Sequence, residues 1–166
     1  MNGTPNADFE IFDEKNYIIL SLEGRGNDGR FCEDDWRCDA NLVEVSYRID
    51  EGDEWGAGCD EFISTADIKR MADCVRNVMY RQNDKDHYEC RDDIARISLK
   101  FHKDSDTYML AVSFIETLIR DHHITVTKNN LTKAGLEEYV NAFFAWEKKY
   151  PVIRPHGTDI DSDVDK

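Results

Sequence analysis

The sequence has few of the features that mark an exported, membrane-bound or cofactor-dependent chain. Its start, Met1-Asn2-Gly3-Thr4-Pro5-Asn6, has neither the basic residues nor the apolar run of a secretory leader. The longest apolar-rich stretch, Tyr108 to Ile119, is broken by Ser113, Glu116 and Thr117. It falls well short of the roughly 20 residues that a membrane-crossing helix needs. A cytoplasmic chain without membrane contact is expected. Cysteine is sparse and odd in number: Cys32, Cys38, Cys59, Cys74 and Cys90. In a chain of 166 residues, able to bury its own core, this argues for reduced thiols and against a disulfide framework.

Signatures of chemistry are missing as well. There is no P-loop, no G-x-S-x-G and no H-E-x-x-H. No cysteine pair has the short spacing of a structural zinc site, and Cys32-x5-Cys38 with Cys59 does not supply one. His122 and His123 are adjacent on an expected strand, so their side chains would point to opposite faces and not share an ion. The tail pattern Asp159-x-Asp161-x-Asp163 lacks the glycine and closing Glu of a calcium loop. Gly24-x-Gly26-x-x-Gly29 matches a dinucleotide fingerprint, but Arg30 to Asp39 shows no helical period and carries Glu33, Asp34 and Asp35, which would repel phosphates. It reads as a turn. Asp34/Asp35 and Asp92/Asp93 could offer an acid and a base, yet sequence neighbours rarely converge on one substrate. No catalytic residue, metal or cofactor is expected.

What the sequence does have is acid. The formal net charge is −14, from 35 acidic and 21 basic side chains. Residues 1–66 hold 17 acids and 5 bases, residues 67–150 hold 14 of each, and residues 151–166 hold 4 acids and 2 bases. Asp28 to Glu61 alone carries 12 acids against Arg30, Arg37 and Arg48. Such a field repels nucleic acid and anionic membrane and speeds encounter with a basic protein. The expected partner is a basic protein, with no nucleic acid and no membrane. Ordinary solubility charge is the alternative.

A hydrophobic fraction of 40% is ample for folding. Tyr17 to Glu23 and Val43 to Ile49 alternate with period two, as half-buried strands do. The glycine-rich acidic segment Asp50 to Gly58 reads as a loop. From Ser64 the period changes: Ile68, Met71, Ala72, Val75, Val78 and Met79 recur at three and four, with Ser64 and Asp67 as a capping box. That helix should end near Gln82, at the polar break Asn83-Asp84-Lys85-Asp86. Ala95–Phe101, Tyr108–Phe114 and His123–Thr127 read as strands. A second helix from about Thr132 would bury Leu136, Tyr139, Val140, Phe143 and Trp146. Short connections between 95 and 127 leave no room for parallel crossovers. The expected fold class is α+β, a mainly antiparallel β-sheet covered by two amphipathic helices in strand-helix-strand-helix order. Residues 1–150 form a single domain, and 151–166 an acidic, disordered tail after Pro151 and Pro155. No internal repeat is visible.

The candidate partner-binding residues are Glu33, Asp34, Asp35, Glu51, Asp53, Glu54, Trp55, Asp60 and Glu61. Aromatic anchors ringed by like charge suit a steered protein interface. Trp36 and Trp55 fit a core as well as an interface.

The order of these features resembles the WapI-type immunity proteins of bacterial contact-dependent polymorphic toxin systems. The likeness rests on Asp35-Trp36 before the alternating Leu42–Ile49 strand, Phe62, the helix opened by Ser64 to Ile68, the Ile97–Phe101 and Tyr108–Phe114 hairpin, and the closing helix at Trp146. It spans roughly residues 17–150; the loop at 50–58 and the tail have no counterpart in it. The resemblance implies a non-enzymatic antitoxin that neutralises the C-terminal domain of a cognate toxin, such as a basic nuclease. The alternatives are a small-ligand or regulatory domain using the turn at 24–29, and an enzyme whose site assembles from distant residues.

Overall fold

A computed structural model of the chain describes residues 8–25, 41–52, 54–80, 83–90, 95–116 and 122–152. The strands in chain order are β1 (Phe9–Phe12), β2 (Asn16–Arg25), β3 (Leu42–Glu51) and β4 (Glu54–Ser64). Helix α1 follows (Thr65–Met79), then β5 (Lys85–Glu89), β6 (Ala95–His102), β7 (Thr107–Glu116), β8 (His122–Leu131) and helix α2 (Lys133–Lys149). The strands form two four-stranded sheets, ordered β1-β2-β3-β4 and β5-β6-β7-β8, and every pairing is antiparallel. The fold is therefore α+β with two antiparallel sheets, which corrects the expectation of one. It also has the order four strands, one helix, four strands, one helix. The sequence showed no repeat, but the topology has one.

The period-two stripes locate the core. Ile18, Leu20 and Leu22 of β2 and Val43, Val45, Tyr47 and Ile49 of β3 are buried, and so are Ala95, Ile97, Leu99 and Phe101 of β6. They belong to one hydrophobic cluster with the apolar faces of both helices. Two ring contacts join the layers, and a third braces α2 internally. Tyr47 of the first sheet meets Phe114 of the second at 4.8 Å between ring centres, Phe9 stacks on Phe143 of α2 at 4.8 Å, and Phe143 meets Trp146 edge-on at 5.5 Å. The helices are also tied by Arg76, whose guanidinium donates to both carboxylate oxygens of Glu147 and to Asp73. Between the sheets remains a void of about 20 Å³, lined by apolar atoms of residues that include Leu22, Val45, Met71 and Phe114.

Three strands went unread in the sequence, each for a physical reason. β1 has only four residues. β4 was read as a glycine-rich loop, yet it pairs along β3 with Gly58 opposite Tyr47. A Cβ at Gly58 would stand 2.8 Å from the Tyr47 hydroxyl, so the glycine that lowers strand propensity is there to let a ring lie over it. Gly52, at φ +59°, opens the two-residue turn closed by the Glu51–Glu54 pair, where a left-handed residue is required. β5 was read as a polar break because its inner positions are polar. Asp86 accepts from Asn77 Nδ2 (2.9 Å) and the Tyr88 hydroxyl donates to Asp67 (2.6 Å), so β5 is fastened to α1 by hydrogen bonds.

The α1 start agrees with the expected capping box. Ser64 Oγ accepts from the Asp67 amide (3.0 Å), and the Asp67 carboxylate accepts from the Ser64 amide (3.2 Å). Ser64→Ala should cost about 1 kcal/mol, read as a fall in thermal midpoint of about 2–4 °C. The helix ends at Met79, earlier than the sequence suggests, with Tyr80 as its cap. Thr132 caps α2, accepting from the Gly135 amide, and Leu136, Val140, Phe143 and Trp146 are buried as expected, with Tyr139 partly so. No helix among the described residues is long and apolar enough to cross a membrane.

Candidate functional site

The residues expected to bind a partner are not brought into a describable cluster. Glu33, Asp34, Asp35 and Asp53 lie outside the described residues, as do Trp36, most of the turn at 24–29 and the tail. Glu51 ends β3, and Glu54, Trp55, Asp60 and Glu61 lie along β4; only their backbone positions are described. The register sets Trp55 opposite Asp50 and Glu61 opposite Val45.

The described residues present instead two outer sheet faces, both pointing away from the shared core. Because successive strand residues alternate sides, the residues between the buried stripes define each face. On the first sheet these include Glu10, Phe12, Tyr17, Ile19, Ser21, Glu23, Glu44, Ser46, Arg48 and Asp50. Among these described strand positions, four acids against one base give a formal charge of −3. Arg48 is already engaged by Asp50 (3.4 Å), and Glu23 accepts from Ser46. At one end Phe12 is 51% exposed and pairs with Tyr17, ring centres 6.4 Å apart, while Lys128 Nζ lies 5.3 Å over the Phe12 ring. Partial burial, then the hydrogen bond and charge of Glu10, raise the Tyr17 phenol above its ordinary value. The turn below is pinned by Asp13, which accepts from the amides of Lys15 (2.9 Å) and Asn16 (2.8 Å). The Asn16 side chain donates to the Thr125 carbonyl (3.0 Å), tying this hairpin to β8.

The second sheet's outer face has the opposite character. β5 contributes Lys85, His87 and Glu89, and β6 contributes Arg96, Ser98, Lys100 and His102. β7 and β8 add Thr107, Met109, Ala111, Ser113, Ile115, His123, Thr125 and Thr127. Three cations against one acid make the face +2 on a chain of −14. Glu89 pairs with Arg96, but Lys85 sits directly opposite Lys100 in the register. Like charges in that position repel, so the pair is costly until something anionic lies across it. Ser113, itself buried, shares a hydrogen bond of 2.8 Å with Thr125, while Met109, Ala111 and Ile115 make the rest of the central row apolar. Asp104 and Asp106 lie in the β6–β7 turn, beyond the end of the face.

Sequence reasoning missed this face. It treated charge by segment, and residues 67–150 sum to zero. The signal was present in the alternation itself, since every residue between the apolar positions of Ala95 to Phe101 is a cation or a serine.

No protein-family model matches the chain, and no curated protein matches it. Among solved structures it is similar to the plant transcriptional regulator PBF-2, at TM-score 0.44 and 12% identity over 90% of this chain and 92% of that one. It is also similar to WHY1 from Arabidopsis thaliana, at TM-score 0.41 and 9% identity over 87% and 90% of the two chains. WHY3 from the same plant gives TM-score 0.41 and 10% identity over 87% and 89%. One of these neighbours is named as a transcriptional regulator, and none is named as a toxin inhibitor. The expectations of toxin neutralisation, of a cognate toxin domain as partner, and of no nucleic-acid partner are corrected accordingly. A sum taken segment by segment could not show that the described outer positions of the second sheet are cationic. Likeness at this level assigns no residue a role.

Proposed function

We propose that the chain is a binding module, not an enzyme, and that the outer face of the second sheet takes a single strand of nucleic acid. The observation that carries the reading is the unrelieved Lys85–Lys100 pair on a cationic, hydroxyl-bearing face of an otherwise acidic chain. Phosphate oxygens laid across the two ammonium groups would turn a repulsion into two charge-assisted contacts. Arg96 extends the cationic line along β6. His87, His102 and His123 offer flat rings on which bases can stack, and Ser98, Thr107, Thr125 and Thr127 offer hydroxyls. An undeformed major groove admits a helix or a two-stranded ribbon, a narrower shape than a four-stranded sheet. A single strand can lie on it. The same flatness favours binding over catalysis, because a face without walls does not exclude water from a reacting group.

The test is fluorescence anisotropy with a labelled oligothymidine at low salt. Saturable binding is expected, weakening with added salt at a log–log slope of roughly −1.5 to −2, for two or three phosphates neutralised on a single strand. Lys85→Glu with Lys100→Glu should weaken binding at least tenfold, of order 1.4 kcal/mol. Lys133→Glu with Lys148→Glu makes the same change in net charge on α2 and should leave binding within about twofold of the unaltered protein. Absence of saturable binding, or equal losses in both double variants, would overturn the proposal.

A further inference from the structure

We infer that the acidic face of the first sheet is a docking surface for the cationic face of the second sheet on another copy of this chain. The inference goes beyond strand binding and requires no nucleic acid. Its first support is charge complementarity. The described outer positions carry −3 on one sheet and +2 on the other, and all of them but Ser113 are exposed or half-buried. The second support is shape. Each face is an antiparallel meander of four strands followed by a helix, so the two are built to the same width and with the same hand of twist. The third is the chemistry at the end of the acidic face. Phe12 and Tyr17 stand beside Glu10 and Asp50, a place where an ammonium or guanidinium can meet an aromatic ring and a carboxylate together. Lys128 already lies over Phe12 within one chain.

Two different faces that complement each other make a head-to-tail contact. A contact of that kind does not close at two copies unless its rotation does, so it extends. Its strength follows from its size. Four strands at their usual spacing, each about eight residues long, offer roughly 500 Å² per face. A total near 1,000 Å² is at the low end for specific association. The assembly is therefore weak, forms at high concentration and dissociates on dilution. The repulsion between two acidic chains is screened beyond about 8 Å at physiological ionic strength, while pairs in contact across the faces are not.

Sedimentation at physiological ionic strength, without nucleic acid, tests this. The weight-average mass of the unaltered chain should rise from that of the 19.3 kDa monomer at micromolar concentration to beyond that of a dimer near millimolar. Glu10→Lys with Glu44→Lys gives a chain with two positive faces, and Lys85→Glu with Lys100→Glu one with two negative faces. Each alone should remain monomeric throughout. An equimolar mixture of the two should associate as the unaltered chain does, because each now finds its complement in the other. The mixture also separates the contact from net charge, since the two changes cancel. The Lys133→Glu/Lys148→Glu variant should associate normally, and circular dichroism checks that every variant is folded. A chain that stays monomeric at all concentrations would overturn the inference. So would a charge-swapped variant that self-associates undiminished, or a mixture that stays monomeric. Strand binding is measured separately, so either reading can fail without the other.

Discussion

Phe143→Ala is expected to destabilise the protein by about 3–5 kcal/mol, a large part of the stability of an ordinary domain. Phe143 is buried on α2, stacks on Phe9 of the first sheet at 4.8 Å and meets Trp146 at 5.5 Å. It also borders the void of about 20 Å³ between the sheets. Alanine would remove the transfer energy of the ring and join the vacated space to a void already there. The surroundings would have to close a larger hole with side chains already committed to other partners. Phe143→Leu, which keeps most of the volume, should cost less than half as much. Phe12→Ala, with half its ring already in water, should change stability by no more than about 0.5 kcal/mol. Urea unfolding at constant slope separates the three, with the midpoint falling in proportion. Equal costs for Phe143→Ala and Phe12→Ala would remove Phe143 from the position assigned to it.

Alkaline pH should have an effect of similar size. Burial first, and the charge of Asp86 second, push the Cys74 thiol from 9.0 to about 12. Burial, and then the hydrogen bond to Asp67 and its charge, raise Tyr88 as well. Both groups are neutral in the fold and would have to ionise against burial and a nearby carboxylate. A folded pKa above the unfolded one means the contribution is complete below the unfolded value and lost as pH rises through the folded value. For Cys74 that window runs from 9.0 to about 12. Its slope is about 1.4 kcal/mol per pH unit, or about 4 kcal/mol across the window. Urea midpoints measured at steps from pH 8 upwards (an interval of about one unit resolves the slope) should fall steadily. In Cys74→Ala the fall should be shallower by one proton per molecule. Parallel curves for the two proteins would show that the thiol does not couple to folding.

The parts of the fold legible in the sequence were those where one face is apolar and the other wet. β2, β3, β6, β7 and β8 declared themselves by period two, α1 by its period and its Ser64–Asp67 box, and α2 by its buried stripe above Thr132. Strands held by something other than apolar burial were not legible. β5 keeps Asp86 and Tyr88 towards α1 through hydrogen bonds, so no hydrophobic period runs through it. β4 carries Gly58 because Tyr47 lies over it, and glycine argues against a strand when its neighbour is unknown. The division into two sheets depends on whether β5 pairs with β4 or with β6, and period alone does not choose. The cationic face was hidden by summation. The acids that cancel its lysines and arginine in the sequence lie on helices, as Asp73, Glu137, Glu138 and Glu147 do, or in turns, as Asp104 and Asp106 do.

Opposite signs on the described outer positions of the two sheets contribute a dipole as well as a charge. A uniformly charged body approaching a charged target feels only a force along the line between them. This one also feels a torque, which turns the second sheet towards an anion and the first towards a cation before contact. Orientation is the step that usually holds association far below the diffusion limit. If the proposed strand binding holds, a chain of charge −14 would be repelled by a polyanion at long range and yet be turned to present its cationic face.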